Sequence, residues 1–135
     1  MPDPDDAVYD VEPGCGVVDV LSLCDEEVLA LTGPVTPFEV AALASIDPRS
    51  LGRDAQLAYL GRMEAVKAFV ASMDSRALVA VAGTDSSSSM RDRHAAMEIA
   101  LARRVGEGSA STSIATARAL NVEFPAFRDA LEGGE

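Results

Sequence analysis

With 135 residues the chain has room for one hydrophobic core and not for two ordinary ones, so a single domain is expected. It is 48% hydrophobic but only 4% aromatic, with no Trp. Its apolar mass is therefore mostly Ala, Val and Leu, which suits closely packed helices and disfavours a sheet sandwich. The formal net charge of −11 argues against a general binder of polyphosphates.

That charge is concentrated. Residues 1–27 carry nine acids (Asp3, Asp5, Asp6, Asp10, Glu12, Asp19, Asp25, Glu26 and Glu27) and no base, while the remainder is close to neutral. The first 27 residues, rich in Pro, Gly and Asp, read as a mobile acidic arm, followed by one helical domain over 28–135. Cys15 and Cys24 match no common zinc spacing, and with a single His in the chain a four-ligand Cys/His site is unavailable. Free thiols in a reducing cytoplasm are the expectation. The apolar run "VVDVLSL" follows acids rather than a basic flank and is too short to span a bilayer. By itself it fits strand or helix equally well.

Helix signals begin with Asp25, Glu26 and Glu27, which suit the first turn of a short helix reaching about Gly33. In "TPFEVAALASI", Thr36 is placed to cap, Pro37 fits the first helical position and Glu39 stands where a capping-box carboxylate reaches back. Pro48 should end that helix by Asp47. From about Arg53 to Ala82 the chain holds no Pro and one interior Gly. Leu60, Met63, Val66, Val70, Met73, Ala77 and Val81 recur there at steps of three or four and predict one continuous core stripe, with Gly83 ending the helix. "GTDSSSS" reads as a polar linker without the frame a nucleophilic serine needs. Helical pattern resumes near Met90, with Met97, Leu101 and Val105 on one side, and stops at "GEG". A last short helix opens at Pro125, closes at Gly133 and carries Phe127 and Leu131.

The segment over about 91–121 has the outline of a helix-turn-helix, though its aliphatic positions imply a longer turn than the compact DNA-binding version. On the second helix Ala110, Ile114, Ala117 and Leu120 share a face, leaving Thr112, Ala115, Thr116 and Ala119 opposite. Reading bases needs side chains that reach groove edges, and from Ser109 to Leu120 the only charge is Arg118. Packing inside a bundle is favoured over groove recognition. If DNA is touched, Arg91, Arg93, Arg103, Arg104 and Arg118 are the expected phosphate contacts. Lone His94 has no companion placed by sequence to make it a general base, and "GEGSAS" lacks the third glycine of a dinucleotide loop.

Residues 94–135, with "EIALA" at 98–102, "STSIATARAL" at 111–120, Pro125 after a hydrophobic residue and "ALEGGE" at 130–135, resemble the domain of unknown function 222. This is the helical region preceding an HNH nuclease in actinobacterial 13E12 repeat proteins. The long helix, with "AYLGRMEAVKAFVASMDSRALVAVA", is similar to that family's front helix. The resemblance implies a nuclease-linked protein but transfers no catalytic residue, because the HNH signature would lie further along a longer chain.

The expectation is therefore an all-α bundle built on the helix at about 53–82. Its role is that of a non-catalytic scaffold or DNA-positioning domain of an HNH-nuclease-type protein, with the nuclease module outside this chain. No cofactor, metal, membrane or small-molecule substrate is expected. The rival reading is a protein-interaction or self-association module, with a second copy or another protein as partner.

Overall fold

A computed structural model describes residues 23–86 and 88–134, which contain six α-helices and no strand. The acidic arm as far as residue 22, including Cys15, lies outside the described residues. The first helix, α1, spans Asp25–Leu29. Its three acids occupy the positive end of the helix, and the Cys24 amide donates to Glu27 Oε2 at 2.8 Å. That bond holds the Glu27 carboxyl below its ordinary pKa.

Helix α2, Pro37–Ala44, starts where the sequence predicts: Thr36 Oγ1 accepts from the Glu39 amide at 3.2 Å, and Pro37 takes the first position. The reciprocal half of the expected capping box is absent. Instead the Glu39 carboxylate turns inward and accepts from Arg62 on the next helix. A 3₁₀ turn at Pro48–Ser50, capped by Asp47, leads into α3, Arg53–Ala82. Gly83 ends α3 with a positive φ of 82°, a backbone shape that glycine adopts without strain.

The antiparallel hairpin of α4, Ser89–Arg103, and α5, Glu107–Arg118, packs on the C-terminal part of α3. Ser88, from the serine run, caps α4 by accepting from the Arg91 amide. The connection between α4 and α5 is residues 104–106, three residues long, so the longer turn expected from the aliphatic spacing is incorrect. The break includes only the first residue of "GEG": Gly106 is the N-cap of α5, and Glu107 and Gly108 already belong to that helix. Arg104 takes the left-handed conformation usual after a helix end, with φ of 56°. A π turn over Ala119–Glu123, closed by the Phe124 amide on the Ala119 carbonyl at 2.9 Å, leads to α6, Pro125–Gly133, which lies along α3.

Two hydrophobic clusters use different sides of α3. The first joins Val28, Val35, Leu43, Ile46 and Leu51 to Ala55 and Val66; the second joins Leu78 and Ala82 to Ala95, Ala96, Ile99, Ala110, Ile114 and Ala117. Val66 and Ser75 are both buried, yet nine steps of about 100° each set them on opposite sides of the helix axis. The predicted continuous stripe is thus core only in part. Val66 is buried and Met63 packs against the first cluster, but Leu60, Val70, Met73, Ala77 and Val81 are exposed. At 45 Å by the usual rise, α3 outruns any single layer of short helices, so its two halves are covered from different directions.

Helix α4 departs from expectation in the same way. Met97, Leu101 and Val105 face solvent, and the buried side is Ala95, Ala96 and Ile99. Small side chains there let α4 approach α3 and α5 closely. Helix α5 buries Ala110, Ile114 and Ala117, the face predicted from its periodicity.

Candidate functional site

The chemistry-bearing residues converge where the end of α3, the start of α4 and the end of α5 meet. Arg118 lies at the centre, its side chain 14% exposed. Its Nη2 donates to Asp92 Oδ1 at 2.8 Å and to the Ala82 carbonyl at 2.9 Å, and its Nε donates to the Gly83 carbonyl at 2.9 Å. The last carbonyls of a helix have no partner within it, so Arg118 acts as a C-terminal cap for α3 supplied from a distant helix. The hydrogen bond from Arg118 holds the Asp92 carboxyl below its ordinary pKa and raises that of the guanidinium. A cleft of about 450 Å³ runs beside this junction, lined by Ser86, Ser89, Arg93, Glu107 and Ser111 as well as the Asp92–Arg118 pair.

The five arginines expected to contact phosphate are not brought into one patch. Arg118 is consumed by its cap and its ion pair, and Arg103 is paired with Asp74 of α3. Arg91 and Arg93 stand at the first turns of α4, and Arg104 follows its last. Eleven residues of helix, roughly 16 Å, separate Arg93 from Arg104. No side-chain ion pair joins Arg93 or Arg104 to the described residues. His94 is exposed on α4. Among the described residues no group of three or more His, Cys, Asp or Glu side chains is placed to hold a metal ion.

The self-association reading rests on part of the long helix being left exposed, and the structure shows which part. Val70, Met73, Ala77 and Val81 form an uncovered ridge on the C-terminal half of α3, with Met73 49% and Val81 54% exposed. The charges on this part of α3 are satisfied within the chain, Asp74 by Arg103 and Arg76 by Glu132. The legible signal was Ser72 and Ser75. Two small residues three apart in a long helix mark where a neighbouring helix comes close, and both are buried. Ser75 Oγ accepts from Asn121 of the π turn at 3.2 Å, whereas Ser72 Oγ has no hydrogen-bond partner among the described residues.

No described helix is long and apolar enough to cross a membrane. No family model matches the chain, and comparisons with curated proteins and with solved structures also find no match.

Proposed function

We propose that this chain is a non-catalytic helical scaffold that works by packing helix against helix along the open face of α3, and that the occupant of that face is a second copy of the chain. One observation carries the reading: Val70, Met73, Ala77 and Val81 follow one another at steps of three or four along one side of α3 and remain exposed, although the same stripe is core one turn earlier at Val66. A two-fold axis would set the ridge of one copy antiparallel on that of the other. The flanking charges favour this occupant, because they are already neutralised within each chain and add no repulsion between copies. The seam is short, so pairing is expected to be weak and concentration-dependent.

Light scattering across the micromolar range tests this. The average mass should climb with concentration in the native chain and stay monomeric in Met73→Glu, a change at an exposed site that leaves both clusters intact. A native chain that remains monomeric at high micromolar concentration refutes it.

DNA positioning for an HNH-nuclease-type parent is the second reading. It is supported by the sequence resemblance and by Arg93 and Arg104, which have no side-chain ion pair among the described residues. Gel-shift titration at low salt tests it, since phosphate contacts weaken steeply as salt rises. Loss of the shift in Arg93→Ser/Arg104→Ser is expected, and no shift in the native chain ends this reading.

A further inference from the structure

The cleft beside Arg118 follows one face of α5 through Glu107, Ser111, Ile114 and Arg118, and the first turns of α4 close one end of it with Ser89, Asp92 and Arg93. Asp92 is bonded to Arg118, so Arg93 stands at the Arg118 end. Glu107 stands at the other, eleven residues of helix or about 16 Å from Arg118. Asp92 and Arg118 neutralise each other. Arg93 and Glu107 do not. Both are exposed, and neither makes a side-chain ion pair among the described residues. The hydroxyls differ in the same way. Thr112, Ser113 and Thr116 donate to carbonyls one turn back in α5, whereas Ser89 and Ser111 in the cleft have no side-chain hydrogen-bond partner among the described residues.

We propose that this cleft binds a short peptide of about four residues with both ends free, its ammonium on Glu107 and its carboxylate on Arg93. Charge supports a dipolar ligand first. The ionised side chains of the lining sum to zero, so a simple anion meets two carboxylates and a simple cation meets two guanidinium groups. A ligand with one charge of each sign at opposite ends meets an unpaired counter-charge at both. Length supports a peptide next. Four extended residues span about 13 Å, which the Glu107 and Arg93 side chains extend to the full separation, while a single amino acid is too short to bridge them. The Ser89 and Ser111 hydroxyls can each donate to and accept from the peptide's amides, and Ile114 and Ala115 offer apolar contact to small side chains. At about 450 Å³ the cleft falls within the size range of small-ligand sites.

The other depressions lack this arrangement. Between α3 and α5 the one charge, Asp74, is already paired with Arg103, and the depression at Leu120, Phe124 and Phe127 has no charged lining. The proposal is independent of self-association through α3, since the cleft and the ridge share no residue.

The test titrates tetra-alanine with free ends into the full chain and follows backbone amide shifts by NMR. Shifts at Ser89, Arg93, Ser111 and Ala115 should saturate at about millimolar peptide, while those at Val70, Met73 and Val81 stay still. Acetylating the amino end or amidating the carboxyl end should each weaken binding about threefold. Glu107→Gln should weaken the free peptide by the same factor and leave the acetylated one unaffected, because the charge it would meet is already gone. Arg93→Gln should behave likewise toward the amidated peptide. Both positions are exposed, so both variants keep the fold. Glu107→Gln also separates this site from phosphate binding by Arg93, which loss of a nearby carboxylate leaves intact or strengthens. No saturable shift in the cleft overturns the proposal. So does equal binding of the free and doubly capped peptides, or an effect of Glu107→Gln that is the same for the free and acetylated ones.

Discussion

Replacing Arg118 by Met keeps most of the side chain's length and packing while deleting every donor that ties α5 to the end of α3 and the start of α4. A hydrogen bond from a charged donor contributes about 1.5–3 kcal/mol net when buried. Here the carbonyls of Ala82 and Gly83 lie at a helix end that water reaches once the guanidinium is gone, and the Asp92 side chain is already 30% exposed. About 1 kcal/mol for each of the three acceptors is therefore the better figure, giving a loss of about 3 kcal/mol. For a domain of this size that lowers the thermal midpoint by roughly 10–15 °C. Urea unfolding followed by helical circular dichroism measures it. Arg118→Lys should recover only part of the loss, because one ammonium cannot span three acceptors in the plane that a guanidinium matches. Arg104→Met removes an arginine with no side-chain partner among the described residues and should stay within about 0.5 kcal/mol of the native chain. If Arg118→Met falls within that same margin, the cap has no energetic role and the junction is held by apolar packing alone.

The Glu39–Arg62 pair, with side chains 9% and 11% exposed, predicts an asymmetry. Glu39→Gln alone should cost about 3 kcal/mol by leaving a cation without its counter-charge, whereas Glu39→Leu with Arg62→Met should unfold close to the native urea midpoint. Acid stability follows from Asp92. Its carboxyl titrates lower in the fold than its ordinary 3.8, so the contribution is full above that value and is lost as pH falls through the folded one. The urea midpoint should therefore drop on acidification below about pH 4, with a shallower drop in Arg118→Met. Ser72→Ala removes a buried hydroxyl without a partner and raises helix propensity, so it should stabilise by about 1 kcal/mol, read as an increased urea midpoint. A native-like or lower midpoint would mean that the hydroxyl is satisfied by a buried water.

Local chemistry made the helix boundaries legible. Thr36 and Pro37 begin α2, Gly83 ends α3 and Pro125 begins α6, because each residue acts on its own backbone and needs no distant partner. The buried face of α5 was legible for a related reason: Ala110, Ile114 and Ala117 lie on a short helix whose inner side meets one layer of neighbours. On α3 the same reasoning identified the stripe and misjudged its cover. Periodicity records which residues share a face, but the number, length and direction of the helices available to cover it are properties of the assembled chain. Helices α1 and α2 reach one side of α3 and the α4–α5 hairpin reaches another, so Val66 is core while Met73 on the same stripe is not. Arg118 shows the same division. Its charge and position were plain, and they pointed to phosphate. Only the tertiary structure brings the carbonyls of Ala82 and Gly83 within its reach, 36 and 35 residues away along the chain, and so turns a surface cation into a helix cap.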